Sequence, residues 1–178
     1  MIRLVPLSAA LALAAGVSAS AALPVGAKAP DIATQASLAG KPFPFRLSNA
    51  LRNGPVVLYF YPAAFTSGCT VEAHDFAEAT PEFAKLGATV IGMSADPIDT
   101  LNRFSVSDCR SKFAVGSASK QTIAAYDVKL PVLARSNRTS FVIAPDGKIV
   151  FAYTALDAAG HVDKTLAAVK AWRAAHPG

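Results

Sequence analysis

Six consecutive apolar residues, Val56-Val57-Leu58-Tyr59-Phe60-Tyr61, lie between Asn53-Gly54-Pro55 and Pro62. The run is unbroken and rich in β-branched and aromatic side chains, so it reads as a central strand buried on both faces. Ala88-Thr89-Val90-Ile91-Gly92-Met93 repeats the pattern. Between the two runs, Val71, Phe76, Phe83 and Leu86 follow a helical spacing from Cys69 to Leu86, with a break or kink expected at Pro81. Asp96-Pro97 opens a further helix, Asp96 expected as its N-cap and Pro97 as its first residue, running to about Asp108.

The rest of the chain fits around these segments. Pro24 to Arg46 is expected to be a leading loop with a short edge strand or hairpin. Phe113-Ala114-Val115 reads as a weak strand and Ser119 to Tyr126 as a short helix. Two strands, Thr139 to Ile143 and Lys148 to Tyr153, flank Pro145-Asp146-Gly147, a hairpin signal. His161 to Ala175 closes the chain as an amphipathic helix carrying Leu166, Val169 and Trp172. Strands alternating with helices and ending in a hairpin predict an α/β fold, with a central mixed β-sheet flanked by helices.

The chain has 178 residues, 52% of them hydrophobic, enough for one core and too apolar for low-complexity disorder. Its net charge is +5, but the basic residues are scattered without a run of five. A mildly basic solvated surface is expected, and no nucleic-acid partner. Residues 1–27 carry one charged side chain, Arg3, then an eleven-residue apolar core from Leu7 to Val17 and small residues at Ala19-Ser20-Ala21. That is the layout of a secretory signal peptide, cleaved after Ala21 or, as second choice, Ala22. The core is too short to span a bilayer, which takes about 20 residues. Residues 1–21 are therefore expected to be a signal and 22–178 one domain, periplasmic or secreted, without stable membrane insertion after cleavage. In an oxidising compartment the two cysteines, Cys69 and Cys109, would by default form a structural disulfide.

The chemistry concentrates in Pro62-Ala63-Ala64-Phe65-Thr66-Ser67-Gly68-Cys69-Thr70-Val71-Glu72. A buried strand ends at Pro62, a tight loop follows, and Cys69 falls at a helix start, where free backbone N–H groups and the helix dipole favour an anion. A free thiol with a pKa near 8.5 is about 3% thiolate at pH 7, whereas one lowered to about 6 is roughly 90% thiolate. Thr66 stands three residues before Cys69, placing its hydroxyl to turn toward the sulfur or an incoming oxygen. Glu72, one helical turn after Cys69, is placed to orient a cationic side chain beside it. Alone, a cysteine at a helix start is equally compatible with an inert buried thiol.

Pro62, Thr66 and Cys69 match the Pro-x-x-x-Thr-x-x-Cys signature of peroxiredoxins, and Thr70 and Glu72 continue it. The Tyr-Phe-Tyr-Pro lead-in and Phe76 resemble the Q-type branch, the bacterioferritin comigratory proteins. Val25 to Asp31, Val90 to Ser94, Ala125 to Val128 and Arg138 to Ile143 extend the resemblance from about residue 24 to 175. It implies a thioredoxin-like fold and a thiol peroxidase acting on hydrogen peroxide and organic hydroperoxides. Cys69 would be the peroxidatic cysteine, oxidised to a sulfenic acid. Thr66 would hydrogen-bond the peroxide, and Pro62 would shield the sulfenate from water. Arg138 would hold the thiolate and polarise the peroxide, a role its guanidinium chemistry also suits. Without the motif, Arg138 reads as a surface strand residue pairing a nearby acid. No metal or organic cofactor is implied, and a thiol reductant, thioredoxin-like or another periplasmic donor, is required.

The chain departs from the Q-type pattern five residues after Cys69, where many members carry a resolving cysteine and this one has His74. His74 reads as exposed helical polarity, or else as an acid–base group. Cys109, near the end of the helix that opens at Pro97, is the resolving candidate. Bridging it to Cys69 requires local unwinding, because the Cα atoms must come within about 7 Å. The competing readings are an inert Cys109, or a permanent Cys69–Cys109 disulfide worth roughly 4 kcal/mol. The latter would suit an exported thiol–disulfide exchange protein or a non-catalytic binding domain, although Cys-x-x-Cys is absent. A monomer or weak dimer is expected.

Overall fold

A computed structural model of the chain describes residues 22–177. The expected signal segment, 1–21, lies outside the described residues. In chain order the elements are β1 (Ala33–Leu38), β2 (Lys41–Arg46), α1 (Leu47–Ala50), β3 (Val56–Phe60), α2 (Ser67–Lys85), β4 (Thr89–Ser94), α3 (Ile98–Ser107), β5 (Ala114–Ser117), α4 (Lys120–Ala125), β6 (Thr139–Ile143), β7 (Ile149–Thr154) and α5 (His161–Ala175). The strands form one seven-stranded sheet in the order β2-β1-β5-β4-β3-β6-β7. Neighbours β3 and β4, and β4 and β5, run parallel, and the other pairs are antiparallel. The mixed sheet expected from the sequence is present, with the leading hairpin as β1 and β2.

Strand β3 is buried throughout and feeds both faces. Val56, Leu58 and Phe60 point into one cluster with Leu47, Ile123, Tyr126 and Phe141. Val57, Tyr59 and Tyr61 point into the other with Ala73, Phe76 and Phe83 of α2, Leu101 and Phe104 of α3, and Val169 of α5. Gly92 on β4 makes room for this second layer, because a Cβ there would lie 2.7 Å from the Tyr59 ring. Each fully buried aromatic contributes about 1.5–3 kcal/mol of transfer free energy, so β3 is the anchor of both layers.

Two local expectations are corrected. Helix α2 is continuous through Pro81. A proline removes only its own N–H bond, this one is exposed, and Phe76 and Phe83 hold the helix in the core on both sides of it. Pro97, in extended conformation, is the N-cap of α3 in place of Asp96. The Asp96 carboxylate instead accepts the Ala64 N–H at 2.7 Å and the Ser94 hydroxyl at 2.8 Å. Helix α3 ends at Ser107, close to the expected Asp108, and Cys109 lies in the turn that follows it.

Candidate active site

The sheet register brings the pieces together. Phe60 at the end of β3 pairs with Thr139 at the start of antiparallel β6, so Arg138 lies beside the loop that leaves β3. Thr139 also pairs with Thr154 of β7, which brings the segment after β7 against Arg138. The loop is pinned where it leaves β3. Tyr61 N–H reaches the Met93 carbonyl at 3.0 Å, and Ser136 donates to the Tyr61 carbonyl at 2.8 Å. Phe65 takes a left-handed φ of 64° and sets its ring edge-on to Phe104, with Arg103 above its face. Thr66 then caps α2 with extended backbone, and its hydroxyl donates to the Ala63 carbonyl at 3.0 Å instead of facing the sulfur.

Cys69 is the third residue of α2 and only 2% exposed. Arg138, itself buried, forks three ways: Nη2 donates to Cys69 Sγ at 3.5 Å, Nη1 to Glu72 Oε2, and Nε to the Leu156 carbonyl at 2.9 Å. Burial works against the guanidinium charge, but Glu72 and Cys69 outweigh it and keep Arg138 cationic. Glu72 meets Arg138 as its one-turn spacing from Cys69 predicts. The surface reading of Arg138 is excluded by its burial. A cation thus reaches a sulfur carried in the first turn of a helix, where the helix dipole favours negative charge, an arrangement suited to a nucleophilic sulfur anion.

Cys109 is a buried free thiol in the same cluster as Cys69. Burial pushes its pKa up, with Asp108 adding to the effect. Tyr59 and Tyr61 share that cluster, and burial raises both phenols, with negative charge on Cys109 or Cys69 adding to the effect. The Cys109 turn docks onto α2 through an Arg110–Glu78 ion pair and through Asp108, whose Oδ1 is 4.0 Å from His74 Nε2. His74 is therefore half-exposed and faces an acid, not plain surface polarity. Pro62 sits partly buried at the start of the loop.

Two site groups escaped the sequence reading. The Leu156 carbonyl has no side-chain signature. His161, the first residue of α5, is fully buried with Nδ1 3.7 Å from Glu72 Oε1, a contact between residues 89 positions apart that no local pattern encodes.

The family model described as AhpC/TSA matches residues 25–152. A candidate peroxiredoxin of Mycobacterium tuberculosis is 40% identical over 137 residues, 73% of this chain and 87% of that one. Peroxiredoxin Bcp of Xanthomonas campestris pv. campestris is 33% identical over 126 residues, 65% of this chain and 76% of the relative. The chain belongs to the AhpC/TSA family of peroxiredoxins. The crystal structure of peroxidoxin BcpB from Mycobacterium tuberculosis superposes with a TM-score of 0.75 at 34% identity, covering 83% of this chain and 96% of that one. The peroxiredoxin thus has an α/β thioredoxin-like fold, and its Bcp-type relatives place it in the Q-type branch. It is a thiol-dependent peroxidase, an oxidoreductase that acts on peroxides with a thiol reductant.

Proposed function

We propose that Cys69 is the peroxidatic residue and Cys109 the resolving one. The observation that carries this reading is the Arg138 Nη2–Cys69 Sγ contact at 3.5 Å in the first turn of α2. The sulfur anion attacks one oxygen of hydrogen peroxide or an organic hydroperoxide. An S–O bond forms, the O–O bond breaks, and the departing oxygen takes a proton to leave as water or an alcohol. Thr66, with its oxygen still free to accept, orients the peroxide, Pro62 shelters the sulfenic acid, Arg138 stabilises the departing charge, and Glu72 supports Arg138.

The Cys109 thiol then displaces water from the sulfenic acid to give a disulfide, which the thiol reductant returns to two thiols. This needs the Cys109 turn to open. Arg110 and Ser111, directly after it, have φ of 48° and 56°, left-handed conformations that cost roughly 1–2 kcal/mol each for non-glycine residues. Opening the turn releases that strain. The sequence layout of residues 1–21 supports export, with a donor outside the cytoplasm, and the enzyme is proposed to work as a monomer or weak dimer.

Peroxide consumption by the reduced protein tests the assignment. Cys69→Ser is expected to abolish turnover, and turnover surviving in that variant would falsify the mechanism. After one equivalent of peroxide, peptide mapping is expected to find a Cys69–Cys109 crosslink. A lasting Cys69 sulfenic acid instead would make this a one-cysteine enzyme.

A further inference from the structure

Four ionisable groups are packed out of water in one line: Cys69, Arg138, Glu72 and His161 are all at most 4% exposed. One guanidinium can balance one buried anion. If the sulfur and the Glu72 carboxylate were both charged, the line would hold an uncompensated negative charge, which burial penalises heavily.

The geometry of His161 shows where a proton fits. Its Nε2 faces the Ala155 carbonyl at 3.2 Å, and a carbonyl only accepts, so Nε2 carries the hydrogen. In the neutral ring Nδ1 is then an acceptor. It receives the Ser140 hydroxyl at 2.8 Å and faces Glu72 Oε1 at 3.7 Å. Glu72 Oε1 has no hydrogen-bond partner, while Oε2 is held by Arg138. Two acceptors facing each other in a dry site repel unless a proton lies between them.

We propose that His161 is a positioning residue for Cys69: its acceptor Nδ1 favours a proton held on the facing Glu72 Oε1, so the pair stays neutral overall and the Arg138 charge is left to the sulfur. The inference rests on the peroxidase reading above only for its importance to turnover. Burial acts in the same direction, pushing the Glu72 carboxyl up to about 8 against the pull of Arg138, and His161 down to about 4. The other groups facing the pair are Cys69 and Asp75 on α2, the Tyr59 phenol on β3, Arg138, and Lys164 on α5, which sits over the Tyr153 ring beside His161. Arg138 and Lys164 both oppose a charged imidazole. That favours the form with the proton on Glu72.

The test is the pH profile of Cys69 alkylation by iodoacetamide, followed by peptide mapping on the full chain, with thermal melting as the check on folding. His161→Phe keeps a ring but removes the acceptor that the Glu72 proton faces, so Glu72 gives up that proton more readily and competes for Arg138. Its profile is expected to move to higher pH by about one unit, which slows alkylation about tenfold below both midpoints. His161→Asn, which restores an acceptor near the Nδ1 position, returns the profile toward wild type. Ser140→Ala frees Nδ1 wholly for Glu72 and moves the profile to lower pH. An unmoved profile in folded His161→Phe, an equal shift in His161→Asn, or an upward shift in Ser140→Ala overturns the proposal. Should His161→Phe not fold, an unmoved Ser140→Ala profile overturns it as well. Alkylation reads the sulfur directly, so a wrong peroxidatic assignment shows separately, as turnover surviving in Cys69→Ser.

Discussion

Arg138 presents three donors to three acceptors on two segments: the Cys69 sulfur and Glu72 on α2, and the Leu156 carbonyl after β7. Lysine carries its donors on one nitrogen and cannot span that fork. Arg138→Lys is therefore expected to lower kcat/KM for peroxide by about a hundredfold, the usual effect of removing one donor from a developing anion. Steady-state peroxide consumption checks it, and a loss of only about twofold would rule out the forked geometry as the working one. At this scale the sequence was informative about identity but not about contact. Thr66, Cys69 and Glu72 share seven consecutive positions at the start of one helix, so their proximity is local. Arg138 was placed only through resemblance, since nothing in its own neighbourhood says that it is buried.

The start of α2 is where element and chemistry meet. Gly68 lies between the N-cap and Cys69, and a Cβ there would stand 3.1 Å from Arg138 Nη2. Gly68→Ala should hold or raise the melting temperature, since alanine favours a helix over glycine by up to about 1 kcal/mol. It should also push the guanidinium away from Sγ by a few tenths of an ångström. Peroxidase activity is then expected to fall about three- to tenfold, because small misplacements at a reacting centre are costly. Activity equal to wild type in a folded Gly68→Ala protein contradicts the contact. The elements themselves were largely legible: β3, β4, the β6–β7 hairpin and α5 follow from periodicity and turn residues. The ends were not. Asp96 looks like an N-cap locally, yet its carboxylate is claimed by the Ala64 N–H from another loop, a tertiary competitor invisible to spacing.

For the whole molecule, the Glu72–His161 pair couples folding to pH. Glu72 is raised from 4.5 to about 8, so its contribution to stability is full below pH 4.5 and lost as pH rises through 8. His161 is lowered from 6.5 to about 4, so its contribution is full above pH 6.5 and lost as pH falls through 4. Between pH 4.5 and 6.5 the folded and unfolded pairs each hold one proton, and the pair makes stability level there. From pH 6.5 to 8 the folded pair keeps a proton that the unfolded chain has released. Stability then falls by about 1.4 kcal/mol per pH unit, about 2 kcal/mol in all. Urea unfolding across this range measures the fall, and Glu72→Gln is expected to flatten it. An equal fall in that variant assigns it elsewhere.

Strand and helix periodicities, the hairpin and the cysteine motif are properties of neighbouring residues, and these determined the α/β class, the sheet and the reactive loop from sequence alone. The triple fork of Arg138, the burial of His161 against Glu72 and the docking of the Cys109 turn onto α2 were decided only by the tertiary structure. Each joins residues far apart in the sequence, within the fork 18 positions for Arg138 and Leu156 and 66 for Arg138 and Glu72, and whether a charge is solvated or buried depends on what the whole chain packs around it.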